Sequence, residues 1–421
     1  MKNADTWRNV LDQTIDKLLP ELVDLRRHLH KQPELSGQEY QTTSYVARWL
    51  QERGIHVTVG PDDRGLVADV VETNHQGMDS AASEGVFALR ADIDALPIQD
   101  QKEVSYASGH RGIMHACGHD AHTAMVAGAL RALALLRDSG ELVLTPSVRG
   151  IFQPAEETCE GALHMINAGA LDRVQAICAT HVDPTRQVGH IALRHGVLTA
   201  NCDEIQVFVR GEGGHSSRPH QARDPIAAAA QYINSVYANV PRSTDTQEPV
   251  VVTFGSIAGG QASNVIPDEV KINGTLRTLD SKIREDTIAL LSRLAESIAL
   301  ASRTDFSVSI GVGTGAVRND EEIANLFVAE TKSFLGPSGI QWIPRPSMGS
   351  EDFAFFTDRV PGAMFRLGCA SGADTSNGLH TPRFDVDEKC LAVGCKLMAR
   401  TALAWLCHHQ KTQDFPEAPV N

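Results

Sequence analysis

Apolar residues recur every three or four positions from about Thr6 to His30 and again from Gln38 to Glu52. That spacing lays one face of a helix against a core. Pro20 falls inside the first pattern; an interior proline removes a hydrogen bond and crowds the preceding turn, so a kink or division is predicted there. Short β-like apolar runs follow at Leu66–Val71 and Val86–Leu89, and the polar, turn-rich stretch from Thr73 to Gly85 reads as a hairpin or surface insertion. A helical pattern covers His122 to Arg137, with further apolar runs at Val148–Phe152, Ala176–Ala179 and Ile191–Leu193. Strands alternating with helices predict an α/β sheet with helices on both faces.

The rhythm changes in the middle of the chain. Strands are expected at Ile205–Val209, Val250–Ile257, Val270–Leu276 and Phe306–Val312, with helices at Asp224–Ala238 and Ser281–Ala301. The order β-α-β-β-α-β is the ferredoxin-like pattern. It is long enough for a core of its own. After it the α/β character returns, with helices at Asp320–Phe334 and Asp387–Cys407 around a strand at Ala363–Leu367, and a frayed tail past Gln410. The expected architecture is therefore a discontinuous α/β domain, residues 1–199 and 314–421, carrying an inserted ferredoxin-like α+β lid at 200–313.

Composition narrows the function. A net charge of −14 repels phosphate backbones and argues against general nucleic-acid binding. The start, MKNADTWRNV, is followed by no apolar signal-like region, and no apolar run approaches the roughly 20 residues of a spanning helix. A cytoplasmic protein with no membrane partner is the expectation. The 8 cysteines include no C-x-x-C pair, so neither a disulfide framework nor a dithiol redox site is indicated, and most read as small buried hydrophobes.

Met114–His122 departs from this background. It reads MHACGHDAH, with three histidines, a cysteine and an aspartate close together. Thiolate and imidazole suit zinc, cobalt, nickel or manganese better than calcium or magnesium. The bland alternative is a helix start capped by His119 and Asp120. Three further pieces follow apolar strands or lie near the end of the chain: Glu156 and Glu157 in QPAEE, His181 in ATHVD, and His380 in GLHTPRF. Each alone reads more readily as a satisfied surface or core group. Strand ends of one α/β sheet converge on one crevice, however. There Cys117, His119, Glu157, His181 and His380 would supply five ligands, enough for two ions with positions left for water.

The motifs RRHLHKQPELSGQE (Arg26–Glu39), ALRADIDALPI (Ala88–Ile98), MHACGHDAHTAM (Met114–Met125), FQPAEE (Phe152–Glu157) and HVDP (His181–Pro184) occur in order along the chain. So do GGHSSRPH (Gly213–His220), NVIPD (Asn264–Asp268), GTLRT (Gly274–Thr278), GSEDFAFF (Gly349–Phe356) and LHTPRFDVDE (Leu379–Glu388). Together they resemble the two-metal aminoacylase and carboxypeptidase family, closest to hippurate hydrolases, N-acyl-amino-acid amidohydrolases and indole-3-acetyl-amino-acid hydrolases. The resemblance implies two divalent metal ions held by Cys117, His119, Glu157, His181 and His380. It implies Glu156 as general base, His215 as a lid histidine polarising the scissile carbonyl, and Asn264 and Arg277 as substrate holders, Arg277 at the carboxylate. Asp92 and Asp94 are candidates for orienting ligands, and Glu351 for a place near the site. His28, His30, His115 and His122 receive no role. The sequence departs from the family at TCEG after the glutamate pair and at Glu212 before the paired glycines, which bears on substrate choice.

The implied activity is hydrolysis of N-acyl amino acids, hippurate-like or related, to a carboxylic acid and a free amino acid by a homodimer joined through the lid. The alternatives are a deacetylase of N-acetylated amino acids such as N-acetyl-diaminopimelate, a dipeptidase, and a non-catalytic ligand-binding relative. The last has no need of Glu156. A thiol redox enzyme using Cys117 is disfavoured by the crowd of ligands around it.

Overall fold

The structure is a computed structural model that describes residues 6–70, 85–141, 147–311 and 313–413. The polar stretch expected as a hairpin or insertion lies outside the described residues apart from Gly85, as does the tail past Gln413. The chain divides into two compact units, residues 1–196, 318–344 and 352–421 in the first and 197–317 with 345–351 in the second. The division expected at 199/200 and 313/314 thus shifts by a few residues. Segment 345–351, expected in the first unit, belongs to the second. Its contacts explain this: Ser347 N–H donates to Leu198 O, Ala200 N–H to Gly349 O, and Arg277 Nη1 to Met348 O.

The first unit is built on an eight-stranded mixed sheet in the order His56–Val59, Leu66–Val70, Val148–Gln153, Val86–Asp92, Val174–Gln187, Gly362–Ala370, Ile191–Leu193, Ile340–Trp342. Its three central pairings are parallel. The Val86–Asp92 strand is buried at every position, as expected where both faces are covered. The helices Thr6–Lys31, His119–Asp138 and Lys389–Gln413 pack on one another and share one core with the sheet.

Of the kink or division expected at Pro20, the division does not occur: the first helix runs continuously from Thr6 to Lys31 with Pro20 inside it. An interior proline costs about 3 kcal/mol. Leu11, Ile15 and Leu22 are each fully buried along this helix, at about 1.5–3 kcal/mol apiece, and outweigh it. The last helix corrects another expectation, because Lys389–His409 is long and apolar enough to cross a membrane. That window is 89% buried within the fold, so its apolar length faces the core.

The second unit has a four-stranded antiparallel sheet in the order Val250–Gly259, Glu269–Thr278, Asn201–Arg210, Asp305–Ile310. Helices Pro225–Ser243 and Ser281–Ser302 cover one face, where Ile205, Val207, Val209, Ile272 and Leu276 meet Tyr232, Val236 and Leu291. Asp224 and Asp280 cap the two helices by accepting from backbone N–H groups of the first turn. This is the expected ferredoxin-like arrangement.

Candidate metal centre

The helix after MHACG starts at His119, three residues earlier than its apolar pattern suggests. Gly118 occupies the N-cap position with φ of 87°, a left-handed conformation open to glycine at little cost. A Cβ there would lie 2.4 Å from Val182 Cγ2, so the loop passes too close to the His181 strand for any side chain. Cys117 therefore sits on the loop and His119 on the first helical turn, both buried and turned to the same place.

His181 does not end its strand, as its apolar run suggested. Val174–Gln187 continues for 14 residues because Gly362–Ala370 keeps pairing beside it, Arg366 opposite His181. What ends is the neighbour on the other side: pairing with Val86–Asp92 stops at Arg90 opposite Ala179. The Gln153–Glu157 segment leaves its own strand through Ala155, whose φ of 50° is uncommon for a residue with a side chain. Ala155 is fixed there by its N–H bond to Glu39 Oε1 at 2.7 Å, and Glu157 by its N–H bond to Asp94 Oδ2 at 3.0 Å. His380 also has a positive φ, 59°, and its N–H reaches Ala116 O at 2.8 Å. Two such backbones beside one cluster are a sign of a functional constraint.

The side chains meet. Cys117 Sγ lies 3.3 Å from His181 Nε2 and 3.3 Å from His380 Nε2. His380 Nε2 lies 3.3 Å from Glu157 Oε1, and His119 Nε2 lies 3.9 Å from both Glu157 Oε1 and Glu156 Oε2. All five predicted ligands and Glu156 thus come together in the first unit. His119 donates from Nδ1 to Asp94, 3.0 Å from its carbonyl and carboxylate oxygens, and His181 donates from Nδ1 to Val182 O at 2.8 Å. In both rings the Nε2 lone pair is left facing the cluster. His119 Nε2, fully buried, has no hydrogen-bond partner among the described residues. A buried imidazole nitrogen with nothing to bind, among a thiol and two carboxylates, fits a metal ion.

The electrostatics agree. Burial pushes the Cys117 thiol up to about 12, although His119 opposes it, so a cation is needed to hold it as thiolate. Burial, with Arg366 and His122 adding to it, drops His181 well below its ordinary value and keeps the ring neutral, the form that binds metal. Burial opposes charge on His119, yet Asp92, Cys117 and the bond to Asp94 raise it well above the usual range, so without a cation the ring takes up a proton that a metal at Nε2 would displace. The hydrogen bond to Glu157 raises His380.

Behind the cluster lies a buried charged group that sequence reading missed. Arg26, fully buried in the first helix, donates from Nε to Asp120 Oδ2 at 2.8 Å and from Nη2 to Asp385 Oδ1 at 2.7 Å. His30 Nδ1 reaches the same Asp120 oxygen at 2.7 Å. Arg90 joins Asp92, Gln153 and Asp352 at 2.8 Å each. Buried arginines carry no compositional mark; the RRHLH string was the available signal.

The remaining candidates belong to the second unit. His215 is exposed on a two-residue strand, Gly214–His215, paired with Val265–Ile266, and Asn264 adjoins that ladder through Ser216 N–H to Asn264 O at 3.1 Å. Arg277 lies in the four-stranded sheet opposite Cys202 and Val251. Glu351 is buried, 3% exposed, and ends the 345–351 segment of this unit.

A mixed α/β sheet whose strand and loop ends gather cysteine, histidines and paired glutamates defines a metal-dependent hydrolase of amide bonds. The chain belongs to peptidase family M20/M25/M40, whose model matches residues 88–404. It is 37% identical over 379 residues to N-acetyl-L-cysteine deacetylase of Bacillus subtilis, covering 90% of this chain and 86% of that one. It is 33% identical over 388 residues to N-acetyldiaminopimelate deacetylase of Halalkalibacterium halodurans, covering 89% and 96%. Among solved structures it resembles the YXEP protein of Bacillus subtilis, a dinuclear metal binding peptidase of the M20 family, with a TM-score of 0.77 and 33% identity over 93% of this chain and 99% of that one. The family resemblance read from the motifs is correct.

Proposed function

We propose that this protein hydrolyses the amide bond of N-acyl amino acids, with N-acetyl amino acids as its preferred class. The observation that carries the reading is the convergence of Cys117, His119, Glu157, His181 and His380 around the unpartnered His119 Nε2, with Glu156 beside them. The acetyl preference replaces the hippurate-like one because two similar proteins are deacetylases of N-acetyl amino acids.

In this reading the five residues hold two divalent ions of manganese, zinc, cobalt or nickel, which when bound make water acidic enough to lose a proton near neutral pH and polarise the amide carbonyl. Glu156 takes that proton and returns it to the leaving nitrogen; it is 9% exposed, shielded yet within reach of the cluster. His215 donates a hydrogen bond to the carbonyl oxygen as negative charge develops there. Asn264 and Arg277 hold the substrate, Arg277 at its free carboxylate through two parallel hydrogen bonds. We also infer a homodimer through the second unit. Its edge strand Val250–Gly259 leaves Val251 and Ile257 40% and 54% exposed, and open edges favour pairing.

The test is turnover of N-acetyl, N-benzoyl and indole-acetyl amino acids after chelation and reloading with each metal. Activity lost on chelation, restored by one metal and highest on acetyl substrates supports the reading. A benzoyl preference would restore the hippurate-like alternative, and no turnover with any metal would favour a binding protein.

A further inference from the structure

His122, which the sequence left without a role, lies with Asp92 and His119 in a buried group that could hold a metal ion. Its hydrogen bonds exclude that use. Nε2 receives the backbone N–H of Val182 at 2.9 Å. A backbone N–H can only donate, so Nε2 carries no proton and its lone pair is occupied. The proton of the neutral ring is therefore on Nδ1, 2.7 Å from Asp92 Oδ1, to which it donates. Asp92 is itself anchored: Arg90 Nη1 donates to its other oxygen at 2.8 Å, and Thr123 Oγ1 donates to its carbonyl at 2.9 Å.

The place where this happens gives it meaning. The Val86–Asp92 strand stops pairing with Val174–Gln187 at Ala179, so on that side Val182 has no strand neighbour among the described residues to accept its N–H. The His122 ring supplies the missing acceptor. The Val182 carbonyl then takes Nδ1–H of His181. The backbone of one residue, Val182, is thus gripped by an imidazole at its N–H and another at its C=O. The path Arg90–Asp92–His122–Val182–His181 is continuous and buried.

We propose that His122 is a positioning residue that extends the interrupted strand ladder and thereby aims His181 Nε2 into the cluster, and that it does not bind metal itself. The proposal rests on the reading of His181 as a metal ligand. Outer groups that orient a ligating histidine are typically worth about 10–100-fold in metal affinity.

The test compares His122→Gln and His122→Phe. Glutamine can accept from Val182 and donate to Asp92; phenylalanine can do neither. Two measurements are made: metal content and affinity by titration of the chelated protein with Zn²⁺ or Mn²⁺, and hydrogen exchange of the Val182 amide in the metal-free protein. We expect both variants to bind the wild-type number of ions at saturation. The Phe variant should bind one ion about 10–100-fold more weakly and exchange Val182 faster, and the Gln variant should recover most of both. If the Phe variant does not fold, His122→Asn takes its place, since a shorter amide reaches Asp92 but not Val182. One ion fewer at saturation in every variant would make His122 a ligand and overturn the proposal. So would unchanged affinity and exchange in the Phe or Asn variant. His181→Ala separates the two claims: if it keeps both ions tightly, the ligand reading of His181 fails, while the exchange result still reports on the His122–Val182 bond.

Discussion

Ser217 holds His215 in one tautomer. The Ser217 backbone N–H donates to His215 Nδ1 at 3.2 Å, and the Ser217 hydroxyl lies 2.8 Å from the same nitrogen. Because the N–H can only donate, the neutral ring carries its proton on Nε2, on an exposed side chain. His215 is thereby a hydrogen-bond donor by construction. His215→Ala should lower kcat by about 10²–10³-fold, the usual cost of one oxyanion donor, with metal content unchanged. Ser217→Ala, which keeps the backbone bond, should cost about 2–10-fold. Steady-state kinetics with metal analysis checks both, and an equal loss in the two variants would contradict the division of labour.

Glu156→Gln should reduce turnover by about 10²–10⁴-fold while the protein still takes up its full complement of metal. Glu157→Gln should lower metal content as well. The two adjacent glutamates are distinguished by metal analysis alongside rate, and retained activity in the first variant would refute its role as base.

Arg277→Lys should raise KM by about 10–100-fold with a smaller change in kcat, because a lysine cannot make two parallel bonds to a carboxylate. Substrate amides lacking the free carboxylate should lose the same factor with the native protein. If both substitutions of the partner groups act independently, Arg277 does not bind the carboxylate.

Gly118→Ala should destabilise the fold by about 1–3 kcal/mol, from a strained φ and from collision with Val182. Gly112→Ala is the control: its φ is 77° but an added Cβ meets nothing within 4 Å. The difference between the two thermal midpoints isolates the collision, and equal midpoints would argue against close approach of the loop to the His181 strand.

Arg26→Leu should cost about 3–5 kcal/mol, since it leaves buried carboxylates without their cation. Burial favours the neutral acid, yet Arg26 and His30 hold Asp120 well below the usual carboxylate range, and Arg26 also lowers Asp385. A depressed folded value stabilises above the unfolded pKa, near 4, and that stability is lost as pH falls through the folded value. In the variant both carboxyls take up protons at higher pH, so acid unfolding should begin at higher pH than in the native protein. Urea denaturation at a series of pH values measures this.

The legible parts of the site were those carried by dense local chemistry. MHACGHDAH announces a metal loop because three histidines and a cysteine in nine residues have few structural uses. The βαββαβ rhythm of the second unit was readable because each element keeps its own period over its full length. His181 was placed at a strand end because its apolar run stops at Ala179; the strand continues through polar residues only because Gly362–Ala370, far away in sequence, pairs with it. Segment 345–351 joined the second unit through long-range backbone bonds that leave no local pattern. Arg26 and His122 looked like ordinary polar residues, since burial of a charge is decided by partners elsewhere in the chain.

The place of Gly362–Ala370 in the sheet, between Val174–Gln187 and Ile191–Leu193, also sets the order in which the protein can be made. Synthesis runs from the N-terminus, so the strand bearing His181 leaves the ribosome with one long side bare. It stays bare while the whole Asn201–Ile310 sheet is added, a unit that can close on its own before the first one does. An open strand edge invites pairing with another chain, and non-local pairing is slow. The nascent first unit is therefore the aggregation-prone stage of this protein's life, and any truncation before Gly362 leaves it there for good.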